Sequence, residues 1–140
     1  MILFKRILLI PTLAFAPFAS AHESEKLSRA LHFDQPIAKE MAIDFQIEED
    51  LYPNRSSFEL LDFAFLSNEA GERWALVVVR NTVHEFRSFS ANQIIGFFAS
   101  GNYRNPVSLN KRIEGKKTET FMIPFGKSDM PLVKLMTRSF

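Results

Sequence analysis

From Arg73 to Thr82 the chain reads Arg-Trp-Ala-Leu-Val-Val-Val-Arg-Asn-Thr, an apolar and β-branched run bracketed by two arginines. A continuous run predicts a central β-strand covered on both faces, because a strand with one wet face would alternate instead. Trp74, Leu76 and Val78 then share one face, and Ala75, Val77 and Val79 share the other. Residues 58–66 predict the preceding strand, with Leu61, Phe63 and Phe65 on one face and Phe58, Leu60 and Ala64 on the other. Gly71 supplies the positive φ that the intervening hairpin loop needs. Residues 83–89 alternate loosely, as an edge or crossing segment does. Residues 93–99 carry apolar side chains at successive positions and predict a second central strand.

Gly101-Asn102 predicts a tight turn into a return strand over residues 103–109. Pro106 has no N–H to give a ladder, which places that return strand at a sheet edge. Turns at residues 114–117 and 126–129 frame an alternating strand over residues 118–125, and Leu132, Val133 and Leu135 supply a last one. Earlier in the chain, Leu27, Ala30 and Leu31 recur at helical spacing behind Ser24 as a cap, predicting a short helix that Asp34-Gln35-Pro36 interrupts. Pro36 suits the first position of a further helical turn reaching Met41. Ile43, Phe45 and Ile47 alternate with Asp44, Gln46 and Glu48, the pattern of a half-buried strand. Many short strands with turn residues between them predict an all-β, antiparallel sandwich or barrel of about seven strands behind a short helical or irregular N-terminal segment.

The run Gly71-Glu72-Arg73-Trp74 through Arg80-Asn81-Thr82, then Phe89-Ser90-Ala91-Asn92, Gly101-Asn102, and Gly115-Lys116-Lys117-Thr118 before Phe121-Met122-Ile123-Pro124-Phe125, resembles the small secreted immunoglobulin-like modules of bacteria. The shared features are a strand ending in Asn-Thr, a glycine turn, and a late glycine, polar, threonine, apolar-strand sequence. The resemblance spans residues 57–138 and implies an immunoglobulin-like β-sandwich. It departs from antibody-type domains, which carry two bridging cysteines; this chain has no cysteine.

Residues 1–21 contain, in order, the Lys5-Arg6 pair, an apolar stretch from Ile7 to Phe18, and Ala19-Ser20-Ala21, the three parts of a secretory signal cleaved after Ala21. The apolar stretch is broken by Pro11 and falls short of the roughly 20 residues that a membrane-spanning helix needs. Removing 21 residues from 140 leaves 119. The expected organisation is therefore a cleaved signal over residues 1–21, an N-terminal segment over 22–56, and a sandwich core over 57–140 that takes in part of that segment. Secreted eukaryotic domains of this size usually carry disulfides, so a chain without cysteine is expected in a bacterial periplasm.

Charge divides the chain. Residues 22–72 hold 12 acidic and 4 basic side chains, and residues 73–140 hold 4 acidic and 11 basic, so the halves stand near −8 and +7. Two such halves neutralise each other within one domain, and the basic half also offers a surface to an anionic envelope partner. Arg87, Arg104, Lys111, Arg112, Lys116 and Lys117 are the candidate residues of that surface. The unpaired ladder groups of the 103–109 edge offer a second place for an envelope protein to add a strand. Nucleic acid is not an expected partner of an exported chain without basic excess.

Catalytic patterns are sparse. Gly-x-Ser-x-Gly is absent, and the three histidines stand apart in the sequence. Gly126-Lys127-Ser128 imitates the end of a phosphate loop, but Phe121 occupies the position of its first glycine. Glu48, Glu49 and Asp50 form an acidic loop without the Asp/Asn-Gly ladder of a calcium site. The expectation is a non-enzymatic binding or accessory protein of the envelope that needs no cofactor.

The alternative is copper. Cleavage after Ala21 makes His22 the first residue, and its amine and imidazole together form a chelate that suits copper(II). Periplasmic copper-binding sandwiches and copper-dependent polysaccharide oxidases begin with such a histidine. That resemblance implies His22 with His84 as partner, and His32 as the lesser choice.

Overall fold

The computed structural model describes residues 28–36 and 51–140. The expected signal peptide, the helical turn after Pro36 and the strand of Ile43, Phe45 and Ile47 lie outside the described residues. Ten strand segments run through the described chain: β1 (His32–Phe33), β2 (Arg55–Ser56), β3 (Phe58–Ser67), β4 (Glu72–Asn81), β5 (Arg87–Ser90), β6 (Ile94–Phe98), β7 (Tyr103–Arg104), β8 (Asn110–Ile113), β9 (Thr118–Lys127) and β10 (Leu132–Ser139). The protein is all-β, and three of its strands are two residues long. Ser28 and Arg29 are helical, but His32 and Phe33 pair with Ser67 and Leu66, so the N-terminal helix does not continue to Phe33 as the spacing predicts.

The run from Trp74 forms β4, and it is central. It pairs antiparallel with β3 on one side and β9 on the other in a sheet of order β1-β3-β4-β9. A second sheet has the order β2-β10-β6-β7, with β6 antiparallel to β10 and β7 and interior as predicted. β5 and β8 form a two-stranded ribbon. All three sheets send side chains into one core, which holds Val77 and Val79 of β4, Phe125 of β9, Phe98 of β6, Leu135 of β10, and Phe89 and Ile113 of the ribbon.

The pleat decides which side of β4 enters that core. Ala75, Val77 and Val79 are fully buried there, while Trp74, Leu76 and Val78 lie half-buried on the opposite face. β3 breaks the simple alternation expected of it. Leu60 pairs with Val79 and Asp62 with Val78, so Leu61 is an extra residue, a β-bulge. The bulge moves Phe63 and Phe65 opposite Val77 and Ala75, onto the same side as Leu60 and Phe58. The core side of β3 thus mixes the two predicted faces, and Leu61 is 42% exposed.

The two larger sheets approach closely at Gly96 of β6. A Cβ there would stand 2.5 Å from the Phe125 ring, so only a hydrogen fits between the layers. The end of β4 is fixed by Asn81, which is fully buried and fully used. Its Nδ2 donates to the carbonyls of Glu85 (2.8 Å) and Ile113 (3.1 Å), and its Oδ1 accepts from Val83 N (3.2 Å) and Ser57 Oγ (3.4 Å). Thr82 donates from both N and Oγ1 to Ser57 O. The Asn-Thr pair that ends the apolar run therefore ties β4 to the start of β3, to the loop after it and to β8. Such a buried network holds only if every partner is present.

Candidate functional site

Five of the six candidate cations gather on the ribbon and the turn that follows it. β5 carries Arg87, β8 carries Lys111 and Arg112, and Lys116 and Lys117 lie in the turn before β9. Phe89 and Ile113, both fully buried, anchor the ribbon to the core. The turn is held against the loop after β4. A Cβ on Gly115 would fall 1.9 Å from the His84 carbonyl oxygen, Lys116 takes φ 61°, its N–H donates to Val83 O, and its Nζ donates to Thr82 O.

These cations differ in how far they are already engaged, and the pleat sends Arg112 to the opposite side of the ribbon from Lys111 and Arg87. Lys111 pairs with Glu119 at 3.2 Å, and its Nζ stands 5.8 Å from the Phe121 ring centre. The Arg112 guanidinium lies 4.7 Å over the exposed Phe86 ring, where a cation is attracted but keeps its donors free. Arg87 reaches Glu85 at 3.9 Å with both side chains more than half exposed, a pairing that contributes little in water. Lys117 is exposed, its carbonyl accepting from Asn81 N. Arg80, at the end of β4, is exposed beside this turn through its register with Thr118. In the sequence Arg80 reads as the bracket of an apolar run, and only the pairing of β4 with β9 brings it here.

Arg104 stands apart from the other five. It sits on β7, donates from one guanidinium nitrogen to Phe125 O (3.3 Å) and Lys127 O (3.2 Å), and lies 4.6 Å over the Phe98 ring. Its charge ties β7 to β9.

The return strand expected over residues 103–109 is cut short. β7 ends at Arg104, Asn105 Nδ2 turns to the carbonyls of Ala91 and Ile94, Pro106 is buried, and Val107 N donates to Pro124 O. Two residues make a poor template for an added strand. A longer open edge belongs to β3. Among the described residues, β1 covers it only at Leu66 and Ser67, with Asp34 N reaching Phe65 O. Phe33, Pro36, Phe63, Phe65 and Val133 line a groove of about 470 Å³ beside that edge. Asp34 lines it too, one carboxylate oxygen accepting from Ser67 Oγ and the other buried with no partner among the described residues.

For the copper reading, His84 is exposed in the loop between β4 and β5, His32 is exposed on β1, and His22 lies outside the described residues. Among the described residues no group of three or more histidine, cysteine, aspartate or glutamate side chains is placed to hold a metal. No described helix is long and apolar enough to cross a membrane. In comparisons with known proteins, no family model matches the chain, and no curated protein or solved structure matches it.

Proposed function

We propose that the chain is an exported, non-enzymatic binding or accessory protein of a bacterial envelope, built as an immunoglobulin-like sandwich, and that it engages an anionic envelope partner through the ribbon face. The observation that carries this reading is that Arg87, Arg112 and Lys117 share the ribbon and the turn after it, with Arg80 brought beside that turn, all exposed and, among the described residues, weakly paired or unpaired. Exposed like charges at one end raise the local potential and draw an oppositely charged partner, an attraction that salt weakens.

The test is co-sedimentation with an isolated bacterial envelope fraction across a salt series, comparing wild type with the double variant Arg112→Glu and Lys117→Glu. The expected result is weaker retention of the variant and a flatter salt dependence. Identical retention and identical salt dependence would overturn the reading.

A further inference from the structure

Arg87 is shared with a second feature, a cleft of about 570 Å³ lined by Arg55 of β2, Arg87 and Ser88 of β5, Gln93, Phe58 and Phe140. Only Arg87 belongs to the cations singled out from the sequence. The described lining has no acidic side chain of its own; Glu85 stands at its margin through the 3.9 Å contact with Arg87, and Phe140, the last residue of the sequence, is part of the lining.

Its donors are largely unengaged. Arg55 makes no hydrogen bond or ion pair among the described residues, and Arg87 has only the long contact to Glu85. Gln93 Oε1 accepts from Ser90 N at 2.9 Å, which orients the side-chain amide and leaves its two N–H donors. The backbone around these groups is fixed. Ser56 and Ser57 are buried, Phe58 N donates to Ser56 Oγ, and Ser139 Oγ donates to Phe58 O.

A third arginine adds to the charge without closing the site. β2 runs parallel to β10 with Arg55 beside Arg138, so two guanidinium-bearing side chains leave neighbouring strands on one face. Arg138 lies 5.1 Å over the Tyr52 ring, with no carboxylate partner among the described residues. Like charges side by side on a sheet are destabilising. Folded chains that keep such a local conflict commonly do so at functional sites.

Planar guanidinium groups match the two oxygens of a carboxylate or phosphate bidentately, and a neighbouring hydroxyl and amide add direction. From this arrangement we infer that the cleft binds an oxyanion group, a carboxylate or a phosphate, on a ligand held between Arg55 and Arg87, with Ser88 and Gln93 as further donors and Arg138 strengthening the local field. This deepens the proposed function and rests on its anionic partner. It adds Arg55 and Arg138, which lie outside the ribbon face.

The experiment is an amide NMR titration of the isotopically labelled protein with pyrophosphate in one arm, trigalacturonate in a second, and uncharged galactobiose as control. The inference expects saturable shifts at Ser57, Ser88 and Gln93 with at least one anion and none with galactobiose; the tighter arm identifies the source as phosphate or acidic sugar. Arg55→Ala should weaken that binding by at least about tenfold, and Arg55→Lys, which keeps the charge but loses the fork, by a smaller factor. Undisplaced resonances elsewhere show that each variant is folded. Absence of shifts with both anions, or equal binding by wild type and Arg55→Ala, would overturn the inference. Unchanged anion binding in Arg55→Ala together with lost envelope retention in the ribbon variant would overturn this cleft and leave the ribbon reading standing.

Discussion

Arg104 and Arg55 are the same residue on two-residue strands of the same sheet, and their surroundings are opposite. Arg104 has two carbonyl acceptors and a phenylalanine ring, so its cation is part of the packing between β7 and β9. Arg55 has a cleft, a like-charged neighbour and no acceptor among the described residues. A charge that the fold satisfies should be felt when stability is measured. A charge that the fold leaves open should be felt when a ligand is added.

The most severe way to break this contrast is to remove core packing from the sheet that carries both arginines. Phe125 is fully buried and its ring fills the space beside Gly96, so Phe125→Ala should cost about 3–5 kcal/mol in chemical denaturation. A loss below about 1 kcal/mol would mean that the sheets do not pack through this ring.

Asn81→Ala comes next. It strips partners from the Glu85 and Ile113 carbonyls and from Val83 N, at about 1–3 kcal/mol, and should also weaken anion binding because it loosens the attachment of the ribbon that carries Arg87. Unaltered binding with lowered stability would separate the ribbon from the cleft.

Arg104→Ala should cost about 1–2 kcal/mol through lost carbonyl bonds and ring contact, with pyrophosphate or trigalacturonate binding as in wild type. Arg55→Ala should do the reverse, leaving stability within about 0.5 kcal/mol or slightly raised while binding falls. The smallest effect belongs to Lys117→Ala, which should change neither stability nor cleft binding and should alter only the salt dependence of envelope retention.

How much of this was legible in the sequence follows from how local each feature is. β3, β4, β6, β9 and β10 are recorded in residue patterns, because a strand's apolar positions and its flanking turns are neighbours in the chain. The bulge at Leu61 was not, since it is visible only against the register of β4. Residues 103–109 follow the expected return strand only as far as Arg104, for a similar reason. Pro106 correctly marked a place without a ladder, but the diversion of Asn105 to the Ala91 and Ile94 carbonyls is a long-range contact.

The cations were legible as charges and not as roles. Arg104 and Arg87 look alike in a charge count, and what separates them is the nearby carbonyls of β9 in one case and a cleft in the other. Arg55 lay in the acidic half of the chain, and Arg138 in the last strand. Neither belonged to a basic run, and parallel pairing of β2 with β10 is what sets them side by side.

The most direct test of the division between engaged and open arginines is the thermal unfolding midpoint of wild type, Arg104→Ala and Arg55→Ala, each with and without whichever of pyrophosphate or trigalacturonate binds more tightly. A ligand that binds only the folded state stabilises it by RT times the logarithm of one plus the ratio of free ligand to Kd, and so raises the midpoint. Arg104→Ala should unfold at a lower temperature than wild type yet gain the same increment from the anion, while Arg55→Ala should unfold no earlier than wild type and gain little. An Arg55→Ala protein as destabilised as Arg104→Ala, or one that gains as much from the anion as wild type, would contradict that division.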